Sequence, residues 1–220
     1  MLVIKPVGGL CNYLRVVFSY YKKACSENKK LIVIWEPTYS CPGFFLDYFK
    51  PVDNIIFYNY NLHNYPIDYV GCQILENYDP NYEKLKLLDE IEIIVNNKRQ
   101  ILGNYIATHI RRTDHIDVAK ANNQFTNDDS FYNFIDTNIE NKNLYIATDN
   151  EETYNLFKNR YNNLIKINYH NTINNFRQTS LKDAIIDIFM CVHADNFMGS
   201  GYSSFSILIR TIRQEMSQYS

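Results

Sequence analysis

The chain has 220 residues, with 22 Lys and Arg against 24 Asp and Glu, a formal charge of -2, and 46% hydrophobic residues. That apolar share is enough to bury a core and excludes a chain that is mainly disordered, while the near-neutral balance argues against a partner, such as a nucleic acid, held by phosphate neutralisation. No apolar run approaches the ~20 residues of a membrane-spanning helix, and the opening Met1-Leu2-Val3-Ile4-Lys5-Pro6 lacks a basic stretch and a long apolar core, so the expectation is a cytoplasmic protein without a membrane span.

In chain order, residues 2–5 read as a strand, followed by the loop Gly8-Gly9-Leu10-Cys11-Asn12. From 12 to 26, Leu14, Val17, Phe18, Tyr21, Ala24 and Cys25 recur at helical spacing. Strands are expected over 31–35 and 55–58. Residues 39–53 and 59–80 are rich in Pro, Gly, Tyr and Asn and carry no assignable element. A helix is expected over 82–101, with Leu85, Leu88, Ile91 and Val95 on one face. The second half predicts a strand over 105–110, a polar loop to 129, a helix over 130–140 and a strand over 144–147. A helix to 160, a strand over 164–167 and a long helix over 181–194 follow. Ser180 and Asp183 are placed to cap that helix as a box. A strand over 196–198 and a helix over 203–214 end the chain. Strands separated by helices mean βαβ units and parallel sheets. With a boundary near Gly103, the expected organisation is two small Rossmann-like α/β domains, 1–102 and 103–220, facing a cleft.

Cys11, Cys25, Cys41, Cys72 and Cys191 are odd in number, widely spaced and without a CxxC pair, so they read as reduced small hydrophobes rather than a disulfide framework or a zinc site. Asn is abundant, yet no Asn-x-Ser/Thr acceptor occurs, which agrees with a chain that does not pass through an N-glycosylating compartment.

Ligands of open α/β sheets bind beyond the carboxyl ends of the strands. Four polar clusters lie there: the glycine loop 8–12, His109-Ile110-Arg111-Arg112-Thr113-Asp114, Ala147-Thr148-Asp149-Asn150, and Gly199-Ser200-Gly201-Tyr202-Ser203-Ser204. Gly8 and Gly9 let the backbone approach a ligand at a helix N-terminus, as a plain turn would also require. An Arg fork grips a diphosphate and neutralises charge as it leaves. Period-2 alternation puts His109 and Arg111 on one face and Arg112 on the other. Asp187 sits among Ile185, Ile186, Ile188 and Phe189, so its carboxylate needs a partner: Lys182 or an Arg, or the paired donors of a guanine edge. Ser203 and Ser204 open the last helix, where an anion or an ordinary N-cap would be served.

The run 109–114 resembles the H-x-R-R-T-D motif of α1,6-fucosyltransferases and their relatives. Tyr145-Ile146-Ala147-Thr148-Asp149-Asn150 resembles their next block, the stretch 180–189 resembles a helix carrying L-D-I, and residues 194–204 resemble its continuation. The run 8–15 is similar to the G-G-L-G/C-N-x-L-R opening of the wider GDP-fucose-dependent superfamily. The resemblance implies a compact GT-B-like fold and an inverting, metal-independent glycosyltransferase that moves fucose from GDP-fucose to a glycan hydroxyl, with no cofactor. It implies that Arg111 and His109 hold the diphosphate and fucose side, that Asp187 reads guanine, that Ser204 contacts a phosphate, and that Gly9, Asn12, Asp149 and Ser203 belong to the donor site. The chain departs from the α1,6 pattern in carrying His115 after the motif and Ala119 where an acid is expected. Inversion still needs a base, and Asp114, Asp117 and Glu36 are the candidates, with His115 and His63 as further possibilities. The alternative is a non-catalytic nucleotide-sugar or glycan-binding module derived from such a transferase.

Overall fold

In a computed structural model, residues 1–60, 66–114, 116–169 and 179–218 are described. The chain divides into two compact units: Met1–Asp89 with Gln214–Ser220, and Glu90–Arg213.

The first unit is built on a four-stranded parallel sheet, β1 (Leu2–Pro6), β2 (Leu31–Ile34), β3 (Ile55–Tyr58) and β4 (Tyr69–Gly71), in the order β3-β2-β1-β4. Every residue of β2 is buried, the signature of an interior parallel strand covered on both faces. Helix α1 (Leu10–Ser26) crosses from β1 to β2. Trp35 follows β2 at once: its indole N–H donates to the Gly43 carbonyl at 2.9 Å, and its ring meets Tyr13 and Phe45 edge-on. Phe45 stacks in turn on Phe49 and Phe57, so the loop after β2 is pinned by aromatic packing. Strand β4 lies in a polar region with no hydrophobic period of its own; it pairs in parallel with β1, and the carboxylate of Asp68 just before it accepts the Val3 N–H at 2.7 Å.

The helix expected over 82–101 begins only at Asp89: α2 spans Asp89–Leu102. Residues 82–88 are extended or turned instead. Lys50 N–H donates to the Lys86 carbonyl, Leu88 N–H donates to the Tyr48 carbonyl, and Phe49 bridges Leu87. Pairing with a distant segment thus overrides the local helical period. Gly103, at φ +62°, closes α2 by donating its N–H to the Arg99 carbonyl.

The second unit holds a three-stranded parallel sheet, β5 (Tyr105–Ile110), β6 (Asn143–Thr148) and β7 (Phe197–Gly199), in the order β6-β5-β7. Around it run α3 (Ile116–Ala121), α4 (Asp128–Asn138), α5 (Glu151–Tyr161), α6 (Leu181–Val192) and α7 (Ser204–Ser217), whose residues from Gln214 onward are counted with the first unit. All six residues of β5 are buried. Ile106, Ile110, Leu144 and Ile146 face Phe131, Ile135, Tyr154 and Phe157 of α4 and α5. The alternate residues face α6 and α7: Tyr105 donates to the Met190 carbonyl and Tyr145 to Asp187, while His109 bonds Ser206.

The strand expected over 164–167 does not form. A 3-10 turn covers Asn162–Leu164, and Leu164 and Ile165 pack against the α4–α5 core rather than extending the sheet. Ser180 does cap α6, its hydroxyl accepting the Asp183 N–H at 3.0 Å, but the Asp183 carboxylate accepts a hydrogen bond from the Ser180 hydroxyl at 2.7 Å rather than completing the box on the backbone. No described helix is long and apolar enough to cross a membrane. None of the five cysteines is joined in a disulfide.

Candidate active site

Three strand ends of the second unit are tied together by hydrogen bonds. Strand β5 runs out through His109 into Arg111. The Arg111 N–H donates to Ser200 Oγ at 2.9 Å, and the Ser200 N–H donates back to the His109 carbonyl at 2.9 Å, joining β5 to the loop after β7. From the other side, Asp149 follows the last residue of β6. Its carboxylate accepts the Arg112 N–H at 3.0 Å, the Thr113 N–H at 3.1 Å and the Thr113 hydroxyl at 2.5 Å. Loop 111–114 is therefore gripped from both neighbouring strands. Gly201 is pressed against the Gln124 carbonyl, so any side chain there would collide, and its N–H donates to Thr126 Oγ1 at 2.9 Å.

The two arginines take different paths. The Arg112 guanidinium turns toward α4, lies over the Phe125 and Phe131 rings at 5.2 and 5.6 Å, and donates to Asp128 at 2.6 Å. The Arg111 guanidinium stays at the strand end, where Nη2 and Nε donate to Asp114 Oδ1 at 2.6 and 3.2 Å. The two side chains diverge as they would if the alternation of β5 ran on past Ile110.

His109 is buried, stacked on Phe205 at 4.3 Å, and its Nδ1 shares a 2.8 Å hydrogen bond with Ser206 Oγ. Burial, reinforced by the charges of Arg111 and Arg210, pushes its pKa down to about 3, so the ring is neutral at physiological pH. It can offer a hydrogen bond to a ligand but not a positive charge. Gly199 makes room for this arrangement, because a Cβ there would run into Ser206. Ser203 is fully buried and precedes α7; its Oγ receives the Ser206 N–H at a long 3.5 Å, while Ser204 is half-buried at the helix start. Asn150 caps α5 by accepting the Thr153 N–H at 3.0 Å.

Asp187 stands apart from this loop cluster, halfway along α6. Its partner is neither Lys182 nor an arginine but the Tyr145 hydroxyl, which donates to Oδ1 at 2.5 Å. Burial raises the Asp187 pKa to about 7, assisted by the charge of Asp183 and opposed by the Tyr145 hydrogen bond and Lys98. Asp187 lines a pocket at the β6 edge together with Lys98, Tyr145, Tyr154, Asn168 and Tyr169.

In the first unit, Gly9 precedes α1 and its carbonyl accepts the Asn12 and Tyr13 N–H groups. Gly8 has φ +97° and lies so close to Asn12 that a Cβ would come 2.7 Å from the amide nitrogen, so glycine is needed for both reasons. Glu36 is ion-paired with Lys5 of β1, and its backbone carbonyl accepts the Tyr13 hydroxyl at 3.0 Å. Asp117 is exposed in the first turn of α3, and Ala119 is buried in the same helix. His63 and His115 lie outside the described residues. Among the described residues, no group of three His, Cys, Asp or Glu is placed to hold a metal ion.

Sequence reasoning singled out Asp187 but not Tyr145, which holds it, nor Lys98, which shares its pocket from a helix far earlier in the chain. Ser200 was visible only as part of a polar cluster. Ser206 gave no signal, since a serine one turn inside a helix has no motif.

Comparison with known proteins supplies the family. No curated protein matches the sequence at a significant level. Among solved structures, the NodZ α-1,6-fucosyltransferase soaked with GDP-fucose superposes with a TM-score of 0.67 at 12% identity, covering 96% of this chain and 92% of that one. NodZ co-crystallised with GDP gives 0.65 at 13% identity, covering 95% and 91%. The fucosyltransferase NodZ from Bradyrhizobium gives 0.63 at 13% identity, covering 95% and 92%. At such identities the likeness is one of fold, and it is the GT-B-like α/β class expected from the sequence. The family model of the GDP-fucose protein O-fucosyltransferases matches residues 38–216, which includes every strand-end cluster of the second unit. The chain therefore belongs to the GDP-fucose protein O-fucosyltransferase family and is a fucosyltransferase.

Proposed function

We propose that this fucosyltransferase moves fucose from GDP-fucose to a glycan hydroxyl with inversion and without a metal ion. The observation that carries the reading is the arginine at the end of β5, held on a loop fastened by Ser200 and Asp149. As the acceptor oxygen forms its bond to the anomeric carbon, the bond to the GDP oxygen breaks and negative charge grows on the β-phosphate. A rigidly based guanidinium beside that oxygen stabilises the charge without reorganising. The N-terminus of α7, with Ser203 and Ser204, adds unspent N–H groups for a phosphate. His109, neutral, contributes a hydrogen bond rather than a charge. Asp187 accepts the donors of the guanine edge.

Asp149 acts indirectly in this reading, because its three hydrogen bonds are spent on loop 111–114. For the base we favour Asp114, which is exposed and paired with Arg111 itself, over Glu36, which is paired with Lys5. Buried Ala119, in place of an acid, favours the second reading, a nucleotide-sugar-binding module without turnover.

The test is calorimetry and melting with GDP, GDP-fucose, UDP and ADP, followed by a transfer assay in EDTA. GDP and GDP-fucose should bind and raise the melting temperature, UDP and ADP far less, and fucose transfer or donor hydrolysis should persist in chelator. Equal binding of UDP and GDP would remove the guanine assignment. Activity lost in EDTA and restored by Mg²⁺ or Mn²⁺ would remove the metal-free mechanism. GDP-fucose binding without transfer or hydrolysis would leave the binding-module reading.

A further inference from the structure

Lys98 of α2 and Asp187 of α6 line the same pocket of the second unit yet form no ion pair with each other. Lys98 has no hydrogen-bond or ion-pair partner among the described residues. Its charge nonetheless reaches Asp187, where it opposes the effect of burial on the carboxyl. The hydrogen bond given to Asp187 lands on Oδ1, from Tyr145. The Tyr169 hydroxyl, which also lines this pocket, is buried without a hydrogen-bond partner among the described residues. Lys98 and Asp187 share this pocket, whose lining also includes Asp183, without touching, and a ligand presenting an acceptor beside donors would satisfy both.

The guanine edge has that order: the O6 acceptor lies next to the N1–H and N2–H₂ donors. Adenine inverts it, offering an amino group at position 6 and a lone pair at N1. Adenine would therefore bring a donor against the ammonium and an acceptor against the carboxylate, leaving both unpaired. We propose that Lys98 determines base specificity, its ammonium donating to guanine O6 while Asp187 accepts from N1–H and N2–H₂. This rests on the reading of Asp187 as the guanine acceptor and adds to it a second reader, placed by a helix outside all four strand-end clusters.

The experiment measures Kd by calorimetry for GDP, IDP, ADP and 6-thio-GDP on the full chain and on Lys98→Met, Lys98→Arg and Asp187→Asn, each first checked for an intact melting transition. IDP keeps O6 and N1–H but lacks the 2-amino group; 6-thio-GDP keeps both donor groups but replaces O6 by a poor acceptor. Lys98→Met should weaken GDP and IDP alike by about 10- to 100-fold, the scale of one hydrogen bond to a charged group. It should change 6-thio-GDP by less than about threefold, narrow the preference for GDP over ADP, and be largely reversed by Lys98→Arg. GDP affinity within twofold of the unaltered protein would overturn the proposal. So would an equal loss for all four nucleotides, which marks a general electrostatic effect. Asp187→Asn separates the two layers. If it collapses the preference for GDP over IDP while Lys98→Met is silent, only the Lys98 assignment fails. If it leaves that preference intact, the guanine reading of the pocket fails and takes this proposal with it.

Discussion

Asp187 pays for its position in a way that a pH titration can expose. Its pKa rises from 3.8 to about 7 on folding because the carboxylate is taken out of water. Between those values the folded state holds a proton that the unfolded chain has released. Stability attached to this group is therefore fully present below about pH 4 and is lost as pH climbs toward 7. The side chain keeps some exposure at its pocket, and solvent screening trims the effect to roughly 1–3 kcal/mol. Asp187→Asn, which still accepts from Tyr145, should melt several degrees higher than the unaltered protein at pH 8 and at the same temperature near pH 4. A pH-independent difference would refute the linkage. The arginines supply a second residue-level prediction. Arg111→Ala should cost about 30- to 1000-fold in transfer rate, equivalent to roughly 2–4 kcal/mol of transition-state stabilisation, with Lys a poor substitute for the planar fork. Arg112→Ala loses its Asp128 pair and the Phe125 and Phe131 contacts, so it should lower the melting temperature and leave GDP affinity nearly unchanged in the folded fraction. Rate and affinity measured on both variants decide it; the reverse pattern would mean that Arg112 is the ligand-facing residue.

At the scale of an element, the loop 111–114 is the object to perturb. Its backbone N–H groups at Arg112 and Thr113 both end on Asp149. Asp149→Ala leaves those donors and the Thr113 hydroxyl without their acceptor, a loss of about 1–3 kcal/mol in stability. Arg111 would also lose its rigid base, so nucleotide affinity should fall together with the melting temperature. The helix caps provide the contrast. Removing the Ser180 or Asn150 side chain that caps α6 or α5 should cost about 1 kcal/mol of stability each. Asn150→Ala should nonetheless bind GDP as the unaltered protein does, although it is the immediate neighbour of Asp149. If Asn150→Ala and Asp149→Ala reduce affinity equally, the distinction drawn between a cap and a loop anchor is wrong.

For the molecule as a whole, the proposed nucleotide groups Arg111, His109, Asp187, Ser203 and Ser204 all belong to the unit Glu90–Arg213. Hydrogen exchange with and without GDP should therefore show its strongest protection around 109–114, 145–149 and 199–206, where the three strand ends are stapled. Residues 31–34 of β2 are buried and paired on both sides already, so nucleotide should change them only through global stability. Protection centred on β2 or β3 instead would place the nucleotide in the other unit.

The strand–helix alternation, the parallel pairing and the polar strand ends were legible in the sequence because each rests on local chemistry. Buried apolar runs such as 31–34 and 105–110 make strands, and Gly8 meets its own local need for a positive φ. The divergence of Arg111 from Arg112 agrees with the alternation of β5, although both residues lie just past its end. Local chemistry failed where a distant segment decided the outcome. Residues 82–88 carry a helical period but spend their backbone groups on residues 48–50, and Leu164 and Ile165 are strand-like but find a helical core to cover them. The alternation points to Asp187 as a carboxylate in need of a partner. Only the tertiary structure names Tyr145 as that partner and brings Lys98 to the same pocket, because contacts across 42 residues and across two helices depend on how the layers stack and leave no periodic trace in the chain.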